Sequence, residues 1–468
     1  MNNEKLTQLL LEQYRNSPVI NDMKEADKYY RCENTNINTK KRGYENPKTG
    51  KFEELKNSSN EKIASGFLRQ SVNQKVAYGF GKPFVISIDC DDDDLKKKYS
   101  EAWDIFVTPY IRKQIKNIAK EAINNGIGWA FVYIDENTTD LKLINVKSET
   151  IYPKWTDGNH ESLEAVVRDY IDKVYTDEGV KEINRVEFWN SEIAQKYIAS
   201  GLDLTKDGEE IKHLDQVSWD KVPFIALKSS DDEMPLLKLI KSYIDAYDTL
   251  NSNSVDTLVD DTKAIIVLRG LSADIKDLIE AKQFLSTLGI TSVDEQGDVS
   301  YLQANINIDN VQKKLENLKK DIKEFSCTVN TQDIQLGNNP SGVALKASYQ
   351  DLDTYMNDLE TEFELFMQQF KYFFDKWLVF KKEFTDNELA QTDITVTLDR
   401  DMMMNETELI ENTAKLSGLV SQETLDNYNP AVETHQIEQE RREQEEENKS
   451  NKENPYPFGE IPPEIEEE

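Results

Sequence analysis

Cysteine and histidine are scarce in this chain of 468 residues, with three of each. Cys32, Cys90 and Cys327 are scattered and form no CxxC pair, so neither a disulfide framework nor a zinc site is supported. His160, His213 and His435 are equally dispersed. Long apolar runs are missing too. None approaches the roughly twenty residues needed to span a bilayer. The amphipathic N-terminus, residues 1–17, carries no signal-peptide cleavage pattern. These absences predict a soluble protein made in a reducing cytoplasm. Basic residues are in deficit, 56 Lys and Arg against 88 Asp and Glu, for a net charge of −32. That balance argues against a broad nucleic-acid clamp, but leaves room for a duplex that slides past without being held.

Catalytic signatures are also missing: there is no GxxxxGK[ST] phosphate loop, no GxSxG elbow and no HExxH. Tyr78-Gly79-Phe80-Gly81-Lys82 superficially suggests a phosphate loop, but it follows a helical pattern rather than a strand, so helix termination is the stronger reading. Asp91–Asp94 cannot all face one ion and reads as a solvated helix start. Met402-Met403-Met404 has no cysteine or histidine nearby and reads as packing after a strand.

What the chain does have is two helical patterns bracketing a small insert. Leu236, Ile240, Tyr243, Tyr247, Leu250, Ser254 and Leu258 recur at three or four and predict a helix over 236–260. Ile308, Val311, Leu315, Leu318, Ile322 and Phe325 predict a second over 307–325, with the heptad seam of a helix lying lengthwise on a partner. Between them come an apolar run (264–268), an amphipathic helix (about 272–288) and two strand-like runs around Gln296-Gly297. A globular enzyme has little use for a small module on a two-helix stalk. A ring-shaped machine that must reach a partner does. Lys313, Lys314, Lys319, Lys320 and Lys323 lie off the seam of the second helix. In a monomer they are an ordinary solvated face; in a ring they would repeat as rings of positive charge.

Elsewhere, residues 33–60 read as a polar surface arm. An apolar helix is predicted from Asn60 to Tyr78, and a strand over 84–88. Another helix runs from Pro109 and breaks at Asn124-Asn125-Gly126. Strands at 129–134, 141–146, 163–170 and 185–189 predict a mostly antiparallel sheet flanked by helices, an α+β class. Residues 343–384 contain no Gly or Pro. At ~1.5 Å per residue they make a helix about 60 Å long, its stripe of Phe363, Phe366, Phe370, Phe373, Phe374 and Trp377 assigned to core. A strand at 393–398 and helices at 406–417 and 422–427 precede a tail that turns Glu-rich from Gln436.

Several segments carry a family resemblance: FLRQSVNQKVAYGFGKP at 67–83, EAINNGIGWAFVYID at 121–135, LIKSYIDAYDTL at 239–250, NPSGVALK at 339–346 and LSGLVSQET at 416–424. In this order, and with the stalk-and-module layout, the chain resembles the portal proteins of tailed bacteriophages, of the type common in long-tailed phages and prophages of Gram-positive bacteria. The resemblance covers about residues 20–440. It implies a mainly helical portal fold. Residues 1–26 would be an N-terminal helix or arm, and 27–235 a wing of helices and mostly antiparallel sheet. Residues 236–262 and 306–326 would be the two stem helices, with 263–305 a small α/β clip between them. Residues 327–399 would hold the tunnel loop, the long helix and a wing return strand, 400–445 a helical crown, and 446–468 an acidic tail.

The resemblance further implies a ring of twelve subunits at one capsid vertex, with no catalysis and no cofactor. Double-stranded DNA would pass through the channel. The tunnel loop Gln335, Leu336, Gly337, Asn338, Asn339, Pro340, Ser341 and Gly342 would line it, with Lys313, Lys314 and Lys320 of the stem. Asp294, Glu295, Gln296, Gly297 and Asp298 of the clip would dock the terminase and later the head–tail connector. Major capsid and scaffold proteins would be further partners, and a membrane would not. The protein would be made in the host cytoplasm and end in the virion. Two other readings stay open: a minor head or head-completion protein, and a metal-dependent nuclease, which would need carboxylates converging from strand ends.

Overall fold

The computed structural model describes residues 2–54, 58–135, 137–176, 179–209, 211–212, 219–261, 265–269, 298–302, 308–330, 342–400, 413–416, 419–421 and 425. They fall into two units, residues 1–329 with 351–401, and residues 330–350 with 402–468.

The first unit opens with α1 (Asn3–Tyr14), where the Asn2 side chain accepts the Glu4 N–H, and α2 (Pro18–Tyr30), capped by Ser17 with a proline in the first turn. A short turn of helix, α3 (Thr35–Asn38), and an exposed hairpin of β1 (Gly43–Glu45) and β2 (Phe52–Glu54) follow. Then come α4 (Phe67–Phe80), β3 (Val85–Asp89), α5 (Asp93–Phe106) and α6 (Pro109–Asn125). The acidic run does start a helix. Asp92 accepts the Asp94 and Leu95 N–H groups at 3.0 and 3.1 Å, as a carboxylate at the positive end of a helix should. The α4 helix begins at Phe67 rather than at Asn60 as predicted. The N–H groups of Glu61, Ile63 and Ser65 are taken by side chains of a distant helix, which holds residues 61–65 extended.

Gly126 ends α6 with φ 88°, and a Cβ there would fall 2.1 Å from the Glu233 carbonyl oxygen, so only glycine fits this turn. The sheet follows: β4 (Ile127–Ile134), β5 (Leu141–Val146), β6 (Ile151–Trp155), β7 (Leu163–Thr176), β8 (Gly179–Asn190), β9 (Ile193–Ser200), β10 (Asp203–Lys206), β11 (Ile211–Lys212) and β12 (Phe224–Lys228). One sheet has the order β10-β9-β8-β7-β6, with β11 also on β9; another has the order β12-β4-β5. All these pairings are antiparallel. Leu10, Leu11, Ile20 and Met23 of the N-terminal helices share one core with Trp129, Val166, Val186 and Phe188 of the strands.

The remaining elements are α7 (Leu236–Asp261), β13 (Ile265–Arg269), β14 (Asp298–Leu302), α8 (Ile308–Phe325), α9 (Gly342–Phe380), α10 (Asp386–Leu389) and β15 (Asp393–Thr397), which pairs antiparallel with β3. The aromatic stripe of α9 is core from Phe363 to Phe374, as expected, whereas Trp377 is only half-buried and its indole N–H donates to the Thr139 carbonyl at 2.9 Å. Phe363, Phe366, Phe370, Phe373 and Phe374 are at most 3% exposed. Trp103 of α5 lies 4.1 Å from Phe374 between ring centroids, and Phe106 stacks on Phe370 at 5.3 Å. Each such burial contributes about 1.5–3 kcal/mol. In the second unit, residues 413–416 are helical, within the predicted 406–417.

Candidate stem, channel and docking surfaces

Helices α7 and α8 form an antiparallel pair. Tyr243, near the start of α7, stacks on Phe325 at the end of α8 with centroids 5.0 Å apart. At the far ends β13 and β14 close the pair, Ile265 opposite Leu302 and Arg269 opposite Asp298. On α8 the middle of the predicted seam holds, with Leu318 and Ile322 buried and Val311 and Leu315 half-buried. Phe325 at its end is exposed beside Tyr243, and the Ile308 side chain lies outside the described residues.

On α7 the buried line differs from the predicted one. It steps by four from Leu236 through Ile240 and Ile244 to Asp248, Ser252 and Asp256, whereas Tyr247, Leu250 and Ser254 are only half-buried and Leu258 is exposed. The three polar members are satisfied by the extended chain preceding α4. Asp248 Oδ1 accepts the Ser65 N–H at 3.0 Å, Ser252 Oγ the Ile63 N–H at 3.0 Å, and Asp256 Oδ1 the Glu61 N–H at 2.7 Å. Two residues of extended chain rise about 6.6 Å and four of helix about 6 Å, so the steps stay in register. Asp248 Oδ2 also accepts from Asn34 Nδ2 at 2.5 Å, and Asp256 Oδ2 from the Lys40 ammonium at 2.6 Å. The polar stretch 33–60, expected as a surface arm, is tied to α7 at Asn34 and Lys40, while its β1–β2 hairpin is exposed. Tyr247 turns to α4, its ring edge-on to Phe67 at 4.8 Å.

The two carboxylates differ electrically. Burial raises Asp248, against the hydrogen bonds from Ser65 and Asn34. Burial also opposes ionisation of Asp256, but Lys40 and the Glu61 N–H outweigh it and hold that carboxyl below its usual range.

Lys313, Lys314 and Lys320 are exposed on α8, as expected. The outermost ridge alternates in sign: Asp309, Lys313, Glu316, Lys320 and Glu324, all exposed. Lys323, counted with the basic face from the sequence, is 5% exposed, and burial, with Lys319 nearby, pushes its ammonium down to about 8. Just past the end of α8, Ser326 accepts from Ser71 of α4 at 3.2 Å.

Of the expected docking residues, Asp298 is the first residue of β14, so any turn has ended by that position. Asp294, Glu295, Gln296 and Gly297 lie outside the described residues, as does the predicted helix at 272–288. Of the expected channel loop, Gly342 opens α9, and Gln335, Leu336, Gly337, Asn338, Asn339, Pro340 and Ser341 lie outside the described residues.

A cleft of about 1230 Å³ between the β6–β7 turn, β12 and α9 brings Asp231, Glu233 and Glu362 together. Burial raises Glu362; Lys228 opposes this, and Asp231 and Glu233 add to it. Glu233 is engaged with His160, Oε1 to Nδ1 at 2.7 Å. Among the described residues, no group of three or more His, Cys, Asp or Glu is spaced to hold a metal ion, so the nuclease reading gains no site there. No helix among them is long and apolar enough to cross a membrane.

The described residues thus make a mixed fold of helices and antiparallel sheet, with an antiparallel helix pair joined at one end by a strand ribbon. The chain matches the family model "Phage portal protein, SPP1 Gp6-like" over residues 14–451 and belongs to that family. As a member it is a portal component of the phage capsid vertex. It is 29% identical over 393 residues to the portal protein of Clostridium phage phiCD119, covering 81% of this chain and 83% of that one. To the portal protein of Bacillus phage SPP1 it is 23% identical over 457 residues, covering 94% and 85%. Among solved structures, the neck of an empty gene transfer agent particle, computed with C6 symmetry, aligns at TM-score 0.45 and 12% identity over 77% of this chain and 88% of the other.

Proposed function

We propose that twelve copies close into a ring with the α7–α8 stems around an axial channel, through which double-stranded DNA is packaged and later ejected. The observation that carries this is the antiparallel stem pair closed by β13 and β14, in a chain of the portal family. The β13–β14 end, with Asp294–Asp298, is the surface for terminase and then the head–tail connector. Major capsid and scaffold proteins meet the ring elsewhere. The protein supplies no catalysis, and the energy for translocation comes from its motor partner. It acts in the virion after synthesis in the host cytoplasm.

The electrostatics suit sliding. In a ring, the α8 ridge would stack circles of alternating sign, Asp309, Lys313, Glu316, Lys320, Glu324. Neighbouring circles offset one another within about a Debye length, so the duplex meets no deep trap. Gln335–Gly342 is uncharged. Such a segment suits a channel constriction that offers phosphate no charge.

Negative-stain imaging and native mass spectrometry of the full-length protein test the ring. A central hole is expected, and a stable monomer or dimer under all salt conditions refutes it. An Asn338→Cys ring carrying a bulky maleimide should block packaging; full-length packaging at the normal rate would remove the loop from the channel.

A further inference from the structure

One face of α4 grips the chain on both sides of residues 331–341. Ser71, Gln74, Lys75, Tyr78 and Gly79 recur at three and four and so share that face. Ser71 Oγ donates to Ser326 Oγ at 3.2 Å, and Gln74 Nε2 donates to the Val329 carbonyl at 3.1 Å. These fix the turn after α8, which is tightened by the Ser326–Thr328 hydroxyl contact at 2.7 Å. Further along α4, the Tyr78 hydroxyl donates to the Asp353 carboxylate of α9. Gly79 lies under Met356, whose sulfur a Cβ would meet at 2.8 Å. Lys75 stands between the two groups, 1% exposed, its ammonium 2.9 Å from the centroid of the Tyr355 ring on α9.

An aliphatic side chain would fill this place at lower cost. A buried ammonium without a counter-charge is expensive, and among the described residues no carboxylate pairs with Lys75. The titratable groups facing it are Tyr355 from α9 and Cys327 from the turn after α8. A cation over an aromatic face is attractive and directional, and gains strength when desolvated.

We propose that Lys75 is a positioning residue, its ammonium holding the Tyr355 ring to α4 so that one helix sets the spacing of the two chain segments leading into and out of residues 331–341. The consequence for DNA rests on the channel reading above, whereas the pin itself does not.

Burial pushes the Lys75 ammonium down to about 7, with Cys327 opposing. The pin is therefore charged below neutrality and loses its charge above it. For a lysine whose folded value is depressed, the unfolded chain holds the extra proton between about 7 and the ordinary 10.5. Stability therefore rises with pH across that window and is flat below it.

The test is the pH dependence of unfolding of the full-length protein from pH 6 to 9, for wild type, Lys75→Met, Tyr355→Leu and the double variant. Relative to Lys75→Met, the wild-type folded-to-unfolded ratio should rise by up to about tenfold per pH unit above 7. Taking the difference between the two removes Lys323, which titrates nearby. The double variant should be non-additive. An identical pH slope in wild type and Lys75→Met, or additive single effects, overturns the pin. In particles, DNA retention by wild type should change through neutrality while Lys75→Met stays flat and Lys75→Arg stays on the charged side. Parallel retention profiles for wild type and Lys75→Met would refute the link to residues 331–341 even where the pin stands.

Discussion

Asp256→Asn and Asp248→Asn are near-identical edits on one buried line, and they should behave differently. In Asp256→Asn the acceptor for Glu61 N–H can remain, but Oδ2 becomes an amide donor facing the Lys40 ammonium. Removing one partner of a buried ion pair costs about 3–5 kcal/mol. Lys40 keeps the Glu61 carbonyl at 3.3 Å and some solvent access, so the low end, about 3 kcal/mol, is expected. Asp248 faces no cation. Its replacement loses one charge-assisted hydrogen bond, to Asn34, worth about 1.5–3 kcal/mol, but also removes an ionised group held against burial, so a net cost of about 1 kcal/mol is expected. The pH trends should oppose each other. Asp256 is depressed in the fold, so its stabilisation is present above the unfolded value of 3.8 and lost as pH falls through the folded one. The gap between wild type and Asp256→Asn therefore closes in acid. Asp248 is raised, so between 3.8 and its folded value wild-type stability falls as pH rises, and the gap to Asp248→Asn widens in acid. Urea unfolding from pH 3 to 8 reads both. Equal costs at pH 7, or gaps that move the same way, would refute the ladder.

Leu318→Asp should place an unpaired carboxylate in the α7–α8 seam at a cost of several kcal/mol and abolish ring formation; normal rings in micrographs would show the seam is misassigned. Gly126→Ala should destabilise by about 2 kcal/mol or more, because its Cβ meets the Glu233 carbonyl and its φ is positive, and an unchanged Tm would contradict that geometry. Alanine substitutions at Asp294, Glu295 and Asp298 should leave ring assembly intact and weaken pull-down of the cognate terminase or connector. Unchanged affinity across all of them would move the docking surface elsewhere.

Local pattern was enough for the elements whose determinants are neighbours in sequence. Thr108 and Pro109 start α6 and Gly126 stops it, the heptad of α8 marks its own buried seam, and the aromatic spacing of α9 predicts its core face. The polar line of α7 was partly legible, since Asp248, Ser252 and Asp256 continue the four-residue spacing of Ile240 and Ile244. Composition hid it, because Asp and Ser are normally assigned to solvent. Whether such residues are buried depends on what arrives to meet them, and their partners come from far along the chain: Ser65 is 183 residues from Asp248, and Glu61 is 195 from Asp256. The same reason moved the start of α4 from Asn60 to Phe67 and buried Lys75 against Tyr355. Sequence determined the helices and their breaks through short-range sterics and periodicity. Only the tertiary structure decided which polar groups left water, because that cost is met by contacts that no local window contains.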